Sequence, residues 1–272
     1  MNDNNLKIMQ HYKQLFSIFT ILLVLTNNTF AQTKKIEQID SLMKWSNQIG
    51  VFNGNVLISK NDKIIYQESF GFTDVTKKKK LNADYRFNIG SITKEFSAVA
   101  LMQLQEQGKL HLDDTVSKFI PELPRWANEV AIRDLLQYTS GIPNVKWKII
   151  NNDKDLFDGL KLTDTLDFKP GTNYDYNNNN IFLRQFIVER LTGMSFKMYA
   201  EKFIFKPCKM NSSILTPFGN EKNIAKGFNN NLIQDKSDLP ITGGTYLTTI
   251  DLLKWVNCLH SKKLLIINRC MK

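Results

Sequence analysis

Histidine and cysteine are both scarce in this chain of 272 residues, with three of each. His11, His111 and His260 have no second His or Cys at ligand spacing, which argues against a zinc enzyme and leaves no metal site to propose. A Ser-His-Asp hydrolase would have to recruit His111 or His260. Cys208, Cys258 and Cys270 are too few and too far apart for a disulfide scaffold or a CxxC zinc site. Their odd number predicts no essential disulfide network. Acidic residues are also outnumbered. Asp+Glu is 26 against 36 Lys+Arg, a formal charge of +10. Such a balance favours anionic surroundings, yet no nucleic-acid-binding motif accompanies it, so no nucleic-acid partner is expected. The basic residues are scattered apart from Lys77 to Lys80, which reads as a solvated loop. There is no internal repeat.

Long apolar runs are missing as well. Leu15 to Leu25 is an apolar stretch of eleven residues, too short to span a bilayer stably. Lys7 and Lys13 precede it, and Thr29-Phe30-Ala31 follows with small residues at the right offsets before Gln32. This is the pattern of a cleavable secretory signal over residues 1–31. It predicts an exported protein, periplasmic or secreted, with one domain over 32–272 and no stable membrane span after cleavage. At 42% hydrophobic and 23% charged residues, the rest reads as a globular chain able to bury a sizeable core.

The mature chain reads as mixed α and β. Ile36 to Ile49 carries Ile36, Ile39 and Met43 on one helical face. Asn55 to Lys60 and Lys63 to Gln67 flank the polar pair Asn61-Asp62, a hairpin signal. Ser91 to Gln107 reads as a helix stopped by Gly108. Arg133 to Tyr138 reads as a short helix, Ile181 to Leu191 as a helix closed by Gly193, and Thr249 to Leu259 as another.

Ser91 and Lys94 open the long helix in the run Phe87-Asn88-Ile89-Gly90-Ser91-Ile92-Thr93-Lys94. Residues i and i+3 share a helix face, so the hydroxyl and the amine can meet. A serine in the first turn lies where backbone N–H groups and the helix dipole favour negative charge. A neutral lysine amine could take its proton, which makes a nucleophile and base that need no histidine. The spacing alone is weak, because Ser41-Leu42-Met43-Lys44 repeats it. Ser41 lacks a preceding glycine and reads as a surface residue. A second element is Tyr176-Asn177-Asn178 after Pro170-Gly171-Thr172. The tyrosine could shuttle a proton and Asn178 could hold a substrate carbonyl or orient the lysine.

Five stretches in order resemble the serine β-lactamase and penicillin-binding family. The likeness lies with its class C-like branch, which includes D-Ala-D-Ala carboxypeptidases and related esterases. They are Arg86 to Lys94; Gly108 to Asp114; Leu135 to Pro143; Pro170-Gly171-Thr172 with Tyr176-Asn177-Asn178; and Gly243-Gly244-Thr245 with Thr248 to Leu252. Tyr138 stands where the family more often has His, and Asn177 where it has Ser. The resemblance implies an α+β sandwich, β-lactamase/transpeptidase-like, with an antiparallel sheet flanked by helices and a helical subdomain. It implies Ser91 as the acylated nucleophile, its N–H as half of an oxyanion hole, and Lys94 as the proton acceptor. Tyr176 would assist proton transfer and Asn178 would bind the substrate amide. No cofactor is implied. The substrate would be a small molecule or a peptidoglycan-derived stem peptide, a β-lactam or an ester, handled by a monomer. His111 would be a surface or packing residue.

The family's third motif, Lys-Thr-Gly or His-x-Gly on a strand, does not occur after Tyr176, and Leu264 to Lys272 does not supply it. By the resemblance, the missing part would carry further sheet strands, the second oxyanion donor and the wall that binds the substrate carboxylate. The domain is therefore expected to be incomplete at its C-terminal end, and the chain to be a poor catalyst. An inactive remnant, or a non-catalytic module that binds cell wall or another ligand, is the alternative reading.

Overall fold

The computed structural model describes residues 33–144, 150–216, 221–234 and 244–266. The signal-like segment 1–31, Gly243 and Cys270 lie outside them. The chain divides into two compact units, Met1–Gly71 and Phe72–Lys272.

In the first unit, helix α1 spans residues 33–48. The antiparallel hairpin of β1 (Gly54–Lys60) and β2 (Lys63–Phe70) follows. Its turn is the expected Asn61-Asp62. Both residues take left-handed φ, 51° and 61°, the conformation that lets a two-residue turn match strand twist, and one that Asn and Asp tolerate. A register irregularity lies between Ile58 and Ser59. The buried Tyr66 of β2 donates to Asp40 Oδ1 of α1 at 3.1 Å. Its burial, with the neighbouring carboxylate, pushes the phenol up to about 12. Ser41 donates to the Glu37 carbonyl at 2.8 Å, and Lys44 pairs with Asp40 at 2.6 Å. The second Ser-x-x-Lys is thus occupied by ordinary surface contacts.

The second unit is built on helices α2 (Thr93–Glu106), α3 (Ile132–Gln137), α4 (Asp153–Lys161), α5 (Asn178–Thr192), α6 (Phe196–Ala200) and α7 (Thr249–Leu259). A small sheet of β3 (Phe87–Asn88), β4 (Ile214–Leu215) and β5 (Thr245–Leu247) has the order β3-β5-β4, antiparallel throughout. The core is the set of apolar faces these helices turn inward. Phe96, Leu101 and Leu104 of α2, Leu135 of α3, Leu183 and Ile187 of α5, Phe196 of α6 and Trp255 of α7 are all buried. Phe96 meets Phe205 and Trp255 edge-on, with centroids 5.2 and 4.6 Å apart. Such aromatic pairs add to area burial alone. Trp255 also donates its indole N–H to Glu95 at 2.7 Å, which fastens α7 to α2. Thr248 caps α7 by accepting from Asp251 N at 3.1 Å. The buried Asp251 carboxylate in turn accepts from Ser212 N and Ser213 Oγ, which ties α7 to the turn before β4.

Two expectations need correction. Cys208 and Cys258 form a disulfide with Cα atoms 5.5 Å apart, a normal span for the bond. The odd count misled because one cysteine can simply be left over. Neither sequence distance nor number shows that α7 folds back onto the turn after α6. The long helix also begins later than its sequence pattern, at Thr93, because Gly90–Ile92 forms a separate 3-10 turn. Helices α4 and α6 were not legible. Each is short, and each is set by a cap. Asn152 accepts from Asp155 N at 2.9 Å, and Ser195 from Met198 N at 3.3 Å.

Candidate active site

The strand pair β3–β5 places Ser91. Ile89 N donates to the Thr245 carbonyl at 3.0 Å, the next rung after the ladder. Asn88 Oδ1 then accepts from Gly90 N at 2.8 Å and turns the chain out of the sheet. Gly90 has φ +54° with nothing within 4 Å of where a Cβ would sit. Glycine is therefore favoured here by backbone conformation rather than by crowding. A side chain in that left-handed region costs roughly 1–2 kcal/mol. The result is an exposed Ser91 in the 3-10 turn that leads into α2, with its side chain free to meet a partner one turn on.

Tyr176 reaches the same point from a different part of the chain. It lies just before α5, and Asn177 caps that helix by accepting from Asn179 N at 2.8 Å. The buried Asn177 also donates its amide to the Ile142 carbonyl, and Asn179 donates to the Pro143 carbonyl at 2.7 Å. Further rungs join the same two segments. Gly171 N donates to the Thr139 carbonyl at 2.9 Å, Asp175 N to the Tyr138 carbonyl at 2.9 Å, and Asp167 N to the Gly141 carbonyl at 2.7 Å. Gly141, at φ +72°, has the Phe168 carbonyl 2.1 Å from an added Cβ, so any side chain there would force the two segments apart. The stretches Leu135 to Pro143 and Asp167 to Asn179 are thus joined into one structural unit that includes Tyr176. Asp134 anchors the far end, accepting from Ala131 N at 2.9 Å and from Thr139 Oγ1 at 2.9 Å.

The three side chains converge. Lys94 Nζ donates to Ser91 Oγ at 3.0 Å, and Tyr176 Oη donates to the same oxygen at 2.8 Å. The Lys94 ammonium also lies 5.1 Å from the centre of the Tyr176 ring. Partial burial would raise the Tyr176 phenol. The hydrogen bonds with Lys94 and Ser91 and the positive charges of Lys94 and Arg184 outweigh it, and hold the phenol below the usual tyrosine range. Asn178 opens α5 half-buried, and among the described residues its side-chain amide has no protein partner. Its neighbours on either side are spent on Ile142 and Pro143. His111 is exposed, exchanges backbone hydrogen bonds with Asp114, its N–H donating to Oδ2 at 2.8 Å and its carbonyl accepting from Asp114 N at 3.0 Å, and takes no part in the site. His260 is likewise exposed, with its ring against the Val256 carbonyl. An oxygen flanked by an amine and a phenol can lose its proton to either and attack a carbonyl. The same pair can return the proton to a leaving group.

Two residues around Tyr176 carried no functional weight in the sequence. Tyr138 is the left-handed C-cap of α3, and its ring lies 5.0 Å from that of Tyr176. Arg184 of α5 packs on Tyr138, with its guanidinium 5.5 Å from the ring centre. No local pattern points to Arg184, because α5 also buries Asn179, Asn180 and Gln185.

A family model described as Beta-lactamase matches residues 37–268. The chain belongs to the beta-lactamase family. It is 33% identical over 184 residues to Protein flp of Staphylococcus aureus strain MW2, and 31% identical over 189 residues to Penicillin-binding protein 4* of Bacillus subtilis strain 168. These alignments take in 64% and 66% of this chain but only 37% and 41% of those proteins. Among solved structures, a penicillin-binding protein from Bacillus halodurans superposes with TM-score 0.71 at 28% identity, over 78% of this chain and 70% of that one. A class C beta-lactamase in complex with cefoxitin gives TM-score 0.73 at 25% identity, over 84% and 66%. The family and its α+β fold are those the five motifs implied.

Proposed function

We propose that this chain carries the acyl-enzyme machinery of a serine hydrolase. Ser91 Oγ attacks the carbonyl carbon of an amide, β-lactam or ester, and the hydroxyl proton passes to Lys94 Nζ. The Ser91 N–H stabilises the developing oxyanion. Tyr176 relays the proton to the leaving amine or alkoxide, and Asn178 holds the substrate amide. Water then attacks the acyl-Ser91 ester and regenerates the hydroxyl. The observation that carries this reading is the single oxygen of Ser91 accepting from both Lys94 and Tyr176.

The names of the relatives support the substrate class: penicillin-binding proteins and a class C beta-lactamase with cefoxitin bound. For this chain, then, the substrates are a D-Ala-D-Ala stem peptide of peptidoglycan, a β-lactam or a related ester. The test is mass spectrometry after incubation with a fluorescent penicillin and with a fluorophosphonate. A single adduct on the Ser91 peptide, absent in Ser91→Ala, is expected. An adduct on Ser41, or equal labelling of Ser91→Ala, refutes the assignment.

Export of the mature domain 32–272 is part of the same proposal. The signal-like residues 1–31 support it, and so does the Cys208–Cys258 bond, since disulfides persist in oxidising compartments. N-terminal sequencing of exported material should begin near Gln32. An intact Met1 on membrane-bound protein would count against it.

A further inference from the structure

The acyl-transfer reading makes no use of Arg184, yet this cation is 2% exposed. Buried charges are normally matched by an opposite charge, because an unpaired one is expensive. Here Nη2 donates to the Tyr138 hydroxyl at 3.3 Å. The guanidinium lies over the Tyr138 ring, and Nε has no partner among the described residues. The groups whose charge acts on it are the phenols of Tyr138 and Tyr176. Tyr138 in turn touches Tyr176, and Tyr176 touches Ser91.

We propose that Arg184 is a positioning residue for Tyr176: from behind, it braces the Tyr138 ring against the Tyr176 ring and supplies a second positive charge to the phenol that faces Ser91. This rests on the reading of Tyr176 as the proton relay.

The surrounding groups fit the role. Tyr176 faces Lys94 from α2, Tyr138 from the end of α3 and Arg184 from α5. Tyr174 packs on the other side of the cluster against Tyr138, centroids 6.1 Å apart. The adjacent Asp175 carboxylate is engaged by the amides of Asn144 and Asn177. Tyr138 itself is pushed up by burial, more than Arg184 pulls it down. It therefore stays a neutral phenol and acts as a spacer. The charge of Arg184 is left to favour the anionic form of the outer tyrosine. A phenol held nearer the working pH is a better relay, since proton transfer is most efficient when donor and medium are matched.

The experiment is a titration of protein labelled with ¹³Cζ-tyrosine, the Tyr176 resonance being assigned by its loss in Tyr176→Phe. The parent Tyr176 is expected to titrate below the ordinary tyrosine value of about 10. Arg184→Met should fold, since it trades an unpaired buried cation for an apolar side chain of similar length. Its Tyr176 should titrate measurably higher than in the parent, the direction expected when a nearby positive charge is lost. Arg184→Lys should recover at least half of that shift. A parent Tyr176 that titrates at 10 or above overturns the proposal. So does a folded Arg184→Met with an unmoved Tyr176, or an Arg184→Lys that recovers nothing. Failure of Arg184→Met to fold would assign the residue a purely structural role and overturn it too. The titration reads the resting protein, so failure of Ser91 to acylate would sink the functional reading without being mistaken for a failure of the coupling between Arg184 and Tyr176.

Discussion

The Cys208–Cys258 bond encloses the strand that sets the nucleophile, so breaking it should be felt at the site. Both sulfurs are buried, at 5% and 4% residue exposure, in the same core as Phe96 and Trp255. The bridge closes a loop with a sequence separation of 50 residues. That loop contains β4, β5 and most of α7. On the chain-entropy model, a loop of that length restricts the unfolded state by about 4 kcal/mol. For a chain of this size each kcal/mol moves the melting temperature by roughly 2–4 °C, so reduction should lower it by roughly 8–16 °C. Thiol titration of the denatured protein should find one free thiol before reduction and three after. Thermal unfolding with and without dithiothreitol then gives the shift. Cys208→Ala/Cys258→Ala should melt with the reduced parent. Because β5 pairs with β3, and Thr245 receives the Ile89 N–H, the reduced protein should also label more slowly at Ser91. If two thiols were released and the melting temperature stayed within about 2 °C, the bridge would not constrain this fold as argued here.

Lys94→Ala should slow acylation of Ser91 by about 10²–10⁴-fold, the usual cost of removing a general base. Tyr176→Phe should mainly slow turnover, so that acyl-protein accumulates in intact-mass spectra; acylation of Lys94→Ala at the parental rate would point to another base. Asp134→Ala removes two hydrogen bonds that hold the Ala131 and Thr139 backbone region, and should destabilise by about 1–3 kcal/mol in denaturant unfolding, with slower labelling as Tyr176 loosens. Glu189 is pushed up by burial, against the Phe196 N–H it accepts from. A raised carboxyl favours folding below its unfolded value and loses that contribution as pH rises through its folded value. Glu189→Gln keeps the acceptor without the charge. Its melting temperature should match the parent near pH 4 and equal or exceed it at pH 8; a deficit that grows with pH would contradict the sign.

The sequence was most readable where one local rule decides the outcome. Asn61-Asp62 had to be a turn because few other residue pairs accept two left-handed φ values in a row. Gly193, at φ +68°, ends α5 for the same reason, and Thr248 with Asp251 starts α7 by a cap. Reading failed where the decision is tertiary. The late start of α2 comes from β5, which captures Ile89 from a distant part of the chain. The Cys208–Cys258 bond follows from how α7 returns, and no spacing encodes that. The motif Tyr176-Asn177-Asn178 was legible as chemistry but not as mechanics. Its middle residue stands where the family has Ser, and the Asn177 side chain both caps α5 and grips the Ile142 carbonyl. The contacts of Tyr138 with Tyr176 and Arg184 depend on where α5 lies, which no local pattern encodes.

The two halves of the site share one design, and its electrostatics explain why they meet where they do. Ser91 lies in the short turn that precedes α2, and Tyr176 stands just before the N-terminus of α5. These residues are 85 positions apart in sequence, yet each is held by a short polar device just outside a helix. For Ser91 the device is Asn88 and the left-handed Gly90; for Tyr176 it is Asn177 and the Ile142 carbonyl. A helix N-terminus carries the equivalent of about half a positive charge. Two such termini, with Lys94 in the first turn of α2, give a region where negative charge is welcome. The proposed acyl-transfer cycle at Ser91 would develop negative charge there more than once, first on the serine oxygen, then on the attacked carbonyl, and on the phenol while its proton is away. Fixed dipoles of this kind need no reorganisation as the charge appears, which is the source of most electrostatic catalysis. The charge of Lys94 can be deleted with one substitution, but the helix termini cannot. Lys94→Met should therefore leave Ser91 measurably more reactive toward a fluorophosphonate than Ser41, whose hydroxyl is tied to the Glu37 carbonyl inside α1. Equal reactivity of the two serines in that variant would show that the paired helix ends contribute nothing.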